Sequence, residues 1–425
     1  MTMKNKSWEQ VLSFYTHPRV VSMLFFGIAS GLPLLLVTST LYKWLMEVGL
    51  TRSVIYTFST ATLPYSTKIF WAHLIDQVTF PILRRLGQYR SWFLFSQIGI
   101  IGSILFLRGI DPIDHVTWMW GIIFCIAFFS ATQDITFGAY RVHILNKEEQ
   151  AFGSSMMVIG YRVGILISGS GALFLSNYLS WEDVYTICCF MMLVGPITVL
   201  LNPEPKVRPL RKRDEIKFYQ LNKVMRILYR EFFSKKPWGV ILIYIFFAKL
   251  GDATFNVFTW VFLAHVGFSN TDLSIVIALG FIAASIGAAL SGIVMSKFKV
   301  VRSLIVTTLL QVILFILLTI HAEVGKSWLL MTTVLMFENF AAGFAAGCIY
   351  TFFAYITTKK FSAIQYTFFA SFFSFSKVII VSLGGLYSDL VSWGMFFGTL
   401  AAVTFASIGL LFYIAKKGLD REGFG

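Results

Sequence analysis

Charge is scarce in this chain: only 13% of its 425 residues are Asp, Glu, Lys or Arg, about half the share of a soluble domain. Hydrophobic residues make up 57%. A water-soluble fold of that composition could not cover its own core, so a soluble enzyme or binding module is excluded. Cysteine is sparse as well. Cys125, Cys188, Cys189 and Cys348 fall inside apolar runs without metal-ligand spacing, which excludes a disulfide framework. The chain also lacks a phosphate-cradling glycine loop, a catalytic-triad pattern and a zinc signature. ATP-driven pumping by this chain alone is thereby excluded, and neither a metal nor a cofactor is expected. The six histidines lie in loops or near helix ends with no carboxylate cluster around them, and are read as surface residues.

What is present is a succession of apolar stretches, many of eighteen residues or more, each long enough to cross a bilayer. Backbone in hydrocarbon must satisfy its own hydrogen bonds. Runs this continuous mean helices, because barrel strands would alternate every second residue. Twelve transmembrane helices are predicted. Six occupy 20–43, 53–74, 91–109, 117–139, 152–176 and 183–201. Six more occupy 238–262, 272–296, 303–321, 327–356, 363–387 and 392–415. Met1 to Val20 is polar and mixed, with no small-residue cleavage site, so the first run is expected to remain as a helix. The only long polar stretch, 202–237, carries Pro203, Pro205 and the run Arg211-Lys212-Arg213. Within it 214–233 interleaves apolar and charged residues like a helix lying on a membrane surface. The expected organisation is a six-helix bundle over 1–201, a basic linker over 202–237 and a second six-helix bundle over 238–425. Such an all-α membrane protein built from two parallel repeats surrounds a central site.

The formal net charge of +14 would suggest nucleic acid in a soluble protein. Here it follows the positive-inside rule instead. With both termini cytoplasmic, nearly all Lys and Arg outside the helices fall in one set of loops. Only Lys43, Arg52, Arg108 and Lys326 fall in the other. Asp76, Arg84, Arg85 and Arg90 follow helix 2, and Lys297, Lys299 and Arg302 follow helix 8. This echo resembles the helix 2–3 signature of the major facilitator superfamily, in which acidic and basic residues latch a cytoplasmic gate.

Ionisable side chains at membrane depth cost several kcal/mol unless paired or wetted, so they mark function. The candidates are Lys68, Asp134, Arg162, Lys249, Asp252, Glu338 and Lys377. Lys249 and Asp252 are three apart and share a helix face. Gln133-Asp134 forms a polar knot in helix 4, and Arg162 is a candidate partner for Asp134. Lys68 lies nearer a helix end, within reach of the interface by snorkelling. Gly160 and Gly164 flank Arg162 and let a neighbouring helix come close. Glu338, flanked by apolar residues and followed by Asn339, is a candidate proton carrier.

Several blocks resemble the AmpG muropeptide permeases. They are Gly27-Ile28-Ala29-Ser30-Gly31-Leu32-Pro33, Lys68-Ile69-Phe70-Trp71 with Asp76, and Ser130-Ala131-Thr132-Gln133-Asp134-Ile135. Gly160-Tyr161-Arg162, Lys249-Leu250-Gly251-Asp252, Phe337-Glu338-Asn339 and Phe361-Ser362-Ala363 with Gln365 continue the likeness. The resemblance implies a major facilitator fold in a bacterial inner membrane. It also implies proton-driven import of N-acetylglucosaminyl-1,6-anhydro-N-acetylmuramyl peptides. The chain is expected to act as a monomer in contact with membrane lipid. In that reading Arg162, Lys249 and Lys377 meet ligand carboxylates, Gln133 and Asn339 meet sugar hydroxyls, and Asp134, Asp252 or Glu338 carries the proton. Asp76, Arg84, Arg85 and Lys68 belong to the gate. A related carrier for an acyl-CoA or a small organic anion is the alternative within the superfamily.

Overall fold

The computed structural model describes residues 8–77, 84–205, 238–254, 258–268, 270–298 and 300–419. Among them every regular element is a helix. Ten helical segments are long and apolar enough to cross a membrane, from Pro18–Glu47 to Trp393–Lys417. Each overlaps an expected span. The two remaining expected spans, the second and seventh, are interrupted. The second is divided into Arg52–Thr57, Phe58–Thr62, Leu63–Thr67 and Ile69–Gln77, with Lys68 at the last break. The seventh is interrupted at Lys249, between Trp238–Ala248 and Leu250–Ala253, and Thr259–Val266 belongs to the same span beyond residues 255–257, which lie outside the described residues. Broken helices are tolerated at membrane depth where side chains or water take up the freed backbone groups. The amphipathic stretch 214–233 and most of the basic linker lie outside the described residues.

The chain divides into two compact units. One comprises 15–225 and 357–371, the other 1–14, 226–356 and 372–425. The helix Ser362–Ser388 therefore begins in the first unit and continues in the second.

In the first unit the helices Pro18–Leu36 and Gln150–Leu166 touch backbone to backbone. A Cβ on Gly27 would strike the carbonyl of Met157, and one on Gly160 the carbonyl of Leu24. Glycines spaced by four residues make this approach possible, since lipid supplies no hydrophobic drive to press helices together and close van der Waals packing must do so. Pro33 lies inside the first helix and lacks the amide that would bond one turn back. The chain bends at Val37 and Thr38 before continuing as Ser39–Glu47. Around that bend the core is aromatic: Trp44 stacks on Trp181 at 6.2 Å, and the Tyr185 hydroxyl donates to the Leu36 carbonyl at 2.7 Å.

The second unit repeats the glycine device. A Cβ on Gly343 would strike the Ala284 carbonyl, and one on Gly287 the Phe340 carbonyl, so Asn270–Lys297 and Trp328–Ile356 pack as closely. A further echo links the two halves of the chain. The helices Trp181–Met192 and Trp393–Ala406 both open on Ser-Trp, with the serine hydroxyl capping the first turn through the amides of Asp183 and Met395. Such a cap contributes about 1 kcal/mol.

Some residues assigned to loops or surfaces belong to the interior. The helix Val116–Ile144 runs past its expected end, which draws Arg141 into the unit, fully buried. Its guanidinium donates to Ser154 Oγ at 2.8 Å and to the Tyr366 hydroxyl at 3.2 Å. His73 and His321 are also buried and not surface residues. Both stand near helix ends, where position in sequence does not reveal which face a ring takes.

Candidate functional site

Among the described residues, Lys68–Asp134 and Lys249–Asp252 form charge pairs at membrane depth, one in each unit. In the first, Asp134 projects from Val116–Ile144. Its Oδ2 lies 3.6 Å from Lys68 Nζ, and its Oδ1 accepts a 2.5 Å hydrogen bond from Ser30 Oγ. Lys68 thus turns inward from the break in the second span and does not snorkel. It supplies the partner that the sequence had offered in Arg162. Next to the pair, Trp71 Nε1 donates to Thr132 Oγ1 at 3.1 Å and ties the second span to the fourth. Arg162 is half-buried on Gln150–Leu166. Gln133 is fully buried, and its amide oxygen accepts from Gln97 Nε2 on the helix Gln88–Leu107. It is enclosed in helix packing in this conformation.

The second pair is tighter. Lys249 Nζ lies 2.6 Å from Asp252 Oδ2 and 4.0 Å from the Phe373 ring centroid. The lysine is nearly buried, while Asp252 is 41% exposed, so the pair is open on the carboxylate side. The helix is broken at this point. The Ala248 carbonyl accepts 3.1 Å from Gln311 Nε2, whose side chain lies against Gly251. A cavity of about 60 Å³ adjoins the pair, lined by Lys249, Asp252, Gln311, Glu338, Tyr350 and Phe373, with alanines of Trp328–Ile356 forming one wall. That volume holds a few waters or one small polar group. Lys377 is half-buried and interacts electrostatically with Asp252 and Lys249.

Glu338 is buried beside the same cavity. Its Oε1 accepts from Thr259 Oγ1 at 2.8 Å, and its Oε2 meets no hydrogen-bond partner among the described residues. Thr259 begins the last piece of the seventh span, so this bond ties that piece to Trp328–Ile356. Asn339 spends its amide on the Leu335 carbonyl at 2.9 Å and packs against Gly280.

A third polar site involves the expected gate residue Asp76, at the end of Ile69–Gln77. Its Oδ1 and Oδ2 accept from the amides of Ala363 and Ile364 at 3.1 and 3.2 Å, with Tyr89 Oη and Ser362 Oγ at 3.4 Å. A carboxylate thus caps the first turn of Ser362–Ser388 from far away in sequence, where the helix dipole favours negative charge. Arg84 opens the short turn Arg84–Leu86, in which Arg85 is exposed.

Sequence reasoning missed Gln311, Thr259 and Ser30. Gln311 carried a usable signal, as a lone amide amid an apolar helix. Ser30 stood only as one member of the first resemblance block, and Thr259 carried no signal, since hydroxyls are common in membrane helices and bond to their own backbone.

The profile of the Major Facilitator Superfamily matches residues 20–363. The anhydromuropeptide permease of Escherichia coli (strain K12) is 30% identical, over 96% of this chain and 82% of its own length. The AmpG 3 protein of Rickettsia prowazekii (strain Madrid E) is also 30% identical, over 93% of this chain and 96% of its own. Among solved structures, the major facilitator transporter FucP in the outward conformation superposes with a TM-score of 0.67 at 12% identity, over 92% of this chain and 97% of FucP. A bacterial homologue of the iron transporter ferroportin gives 0.69 at 12% identity, over 94% and 98%. At that identity the two structures speak for the fold alone.

Proposed function

The chain belongs to the major facilitator superfamily and, within it, to the AmpG permeases, and we propose that it imports anhydromuropeptides across a bacterial inner membrane with protons. It is a multi-pass membrane transporter. In this reading both termini are cytoplasmic, one chain suffices, and the two halves alternate access to a midplane site.

The observation that carries the mechanism is the Lys249–Asp252 pair beside the cavity. A ligand carboxylate that docks on Lys249 must displace Asp252. The freed carboxylate then stands at membrane depth without the cation that held it at 2.6 Å, a state that costs several kcal/mol. A proton removes that cost. Ligand and proton therefore favour each other's binding, which is the thermodynamic requirement for symport. Lys377 and Arg162 add to the field that attracts an anion. Asp134 with Lys68 offers a second exchangeable pair, and Glu338 a third proton site. Asn339 and Gln133 stand on the two helices that carry these acids and are assigned to sugar hydroxyls once the packing around them opens. Asp76, with Arg84 and Arg85 after it, latches the cytoplasmic gate in the conformation described.

The direct test is uptake of labelled anhydromuropeptide into vesicles, with and without a proton gradient. Gradient-dependent accumulation supports the proposal. Uptake unaffected by the gradient removes the proton. No uptake, with transport of an acyl-CoA or a small organic anion instead, reassigns the substrate.

A further inference from the structure

The sixth span leaves its helix at Asn202-Pro203-Glu204-Pro205, and each of the first three residues is tied down within the first unit. Asn202 Oδ1 accepts from Ser22 Oγ at 2.8 Å, and the Pro203 carbonyl accepts from the Tyr140 hydroxyl at 2.9 Å. The Glu204 carboxylate takes the amides of Tyr89 and Arg90, at 2.9 Å on Oε1 and 3.0 Å on Oε2. The helix Gln88–Leu107 has no cap of its own: the residue before it is Gly87, at φ 96°. A Cβ there would collide with the Glu204 side chain. Glycine serves twice here, admitting a left-handed backbone and leaving room for a remote carboxylate. Arg90 Nη2 returns a bond to the Leu200 carbonyl at 3.0 Å. Burial pushes the Glu204 carboxyl above its ordinary range, while the amides of Tyr89, Arg90 and Gln88 pull it back.

The capped turn faces the gate. Tyr89 gives its amide to Glu204, and its hydroxyl lies 3.4 Å from Asp76 Oδ1 and 3.2 Å from Ser362 Oγ. Gln88 Nε2 donates to the Ile75 carbonyl, one residue before Asp76, at 2.5 Å. A chain of contacts thus runs from Glu204 through the first turn of Gln88–Leu107 to Asp76, and from there to the amides of Ala363 and Ile364.

We infer that Glu204 is a positioning residue of the gate: it fixes the turn from which Tyr89 and Gln88 hold Asp76 on the first turn of Ser362–Ser388. The inference rests on the gate role assigned to Asp76 above. It makes the exit of the sixth span, where the central linker starts, part of the latch.

The test needs no substrate. Ile364 is fully buried and contributes only its backbone amide to the latch. A reporter carrying Ile364→Cys, with the exposed Cys125 replaced by serine, is labelled in detergent with a soluble maleimide. Opening of the latch sets the labelling rate. Asp76→Asn is expected to raise that rate, and Glu204→Gln to raise it about tenfold, the equivalent of one charge-assisted hydrogen bond. Glu204→Asp, which keeps the charge, restores part of the slow rate. Because both act on one latch, Glu204→Gln adds nothing to Asp76→Asn. If Glu204→Gln fails to fold, Tyr89→Phe cuts the same chain and leaves the cap in place. It should speed labelling too. Faster labelling with Asp76→Asn but an unchanged rate with Glu204→Gln and Tyr89→Phe would overturn the inference and leave the gate standing. So would effects that multiply in the double variant. An unchanged rate with Asp76→Asn overturns the gate role itself, and the inference with it.

Discussion

Lys249 and Asp252 meet at 2.6 Å across the point where the seventh span is broken. The break frees the Ala248 carbonyl, and Gln311 satisfies it from another helix. A regular helix would place a lysine and aspartate three apart side by side on its surface. The break instead leaves the pair beside a cavity, with the lysine covered by Phe373 and the aspartate open.

Neutralising each partner should therefore have opposite consequences. Lys249→Met removes the cation that the ligand carboxylate needs, and apparent affinity is expected to fall about tenfold or more, the worth of one charge-assisted hydrogen bond. Asp252→Asn removes the competitor and keeps the cation. Ligand should then bind at least as tightly, while proton-driven accumulation is lost. Binding isotherms and vesicle uptake on the same preparations separate the two. Equal loss of affinity in both variants would show that the pair is structural.

Asp134 and Lys68 give a stability test. Breaking a largely buried ion pair by removing one partner strands the other charge. Asp134→Asn is expected to abolish uptake without preventing membrane insertion, and to cost up to about 3 kcal/mol of stability, the low end for a buried pair because the carboxylate is 26% exposed. The double variant Lys68→Met with Asp134→Asn strands no charge and should regain most of that stability without regaining transport. Melting temperatures in detergent, followed by uptake, provide the check.

How much of this was legible beforehand differs by scale. Helix positions follow from runs of apolar residues, because the bilayer demands a fixed length of continuous helix. The Gly160–Gly164 approach was readable for the same reason, since only glycine spacing permits backbone contact. The pairing of Asp134 with Lys68 was not, because it depends on how two distant helices rotate against each other. Nor was Arg141, where a helix longer by five residues turns a loop charge into a buried one. The reach of Asp76 to Ala363 and Ile364 is a purely tertiary contact, with nothing local to announce it.

Glu338 invites an isosteric change. Glu338→Gln keeps the size of the side chain and an acceptor for Thr259, but cannot gain or lose a proton. Exchange of labelled for unlabelled ligand across the membrane requires only binding and reorientation, so it should persist. Net uptake against a gradient requires the proton to be released and should fall to background if Glu338 is the carrier. Measuring both in one set of vesicles decides the matter: retained accumulation assigns the proton to Asp252 or Asp134.

The glycine contacts predict a sharp contrast between residues of the same type. Gly160 faces the Leu24 carbonyl and Gly343 the Ala284 carbonyl, so even one added methyl meets backbone and cannot be absorbed by a rotamer change. Gly160→Leu or Gly343→Leu must push two helices apart, at a cost above the roughly 1–3 kcal/mol of ordinary overpacking. Gly102 and Gly121 also lie inside membrane helices, yet a Cβ on either meets nothing within 4 Å. Alanine there should be harmless or stabilise by about 0.5–1 kcal/mol, because it lowers the entropy lost on forming the helix. Thermal melts of the purified variants should split cleanly into these two classes. A mild effect at Gly160 would mean that the two backbones are not in contact, and the packing that holds Arg162 and Ser30 in the same unit would need another basis.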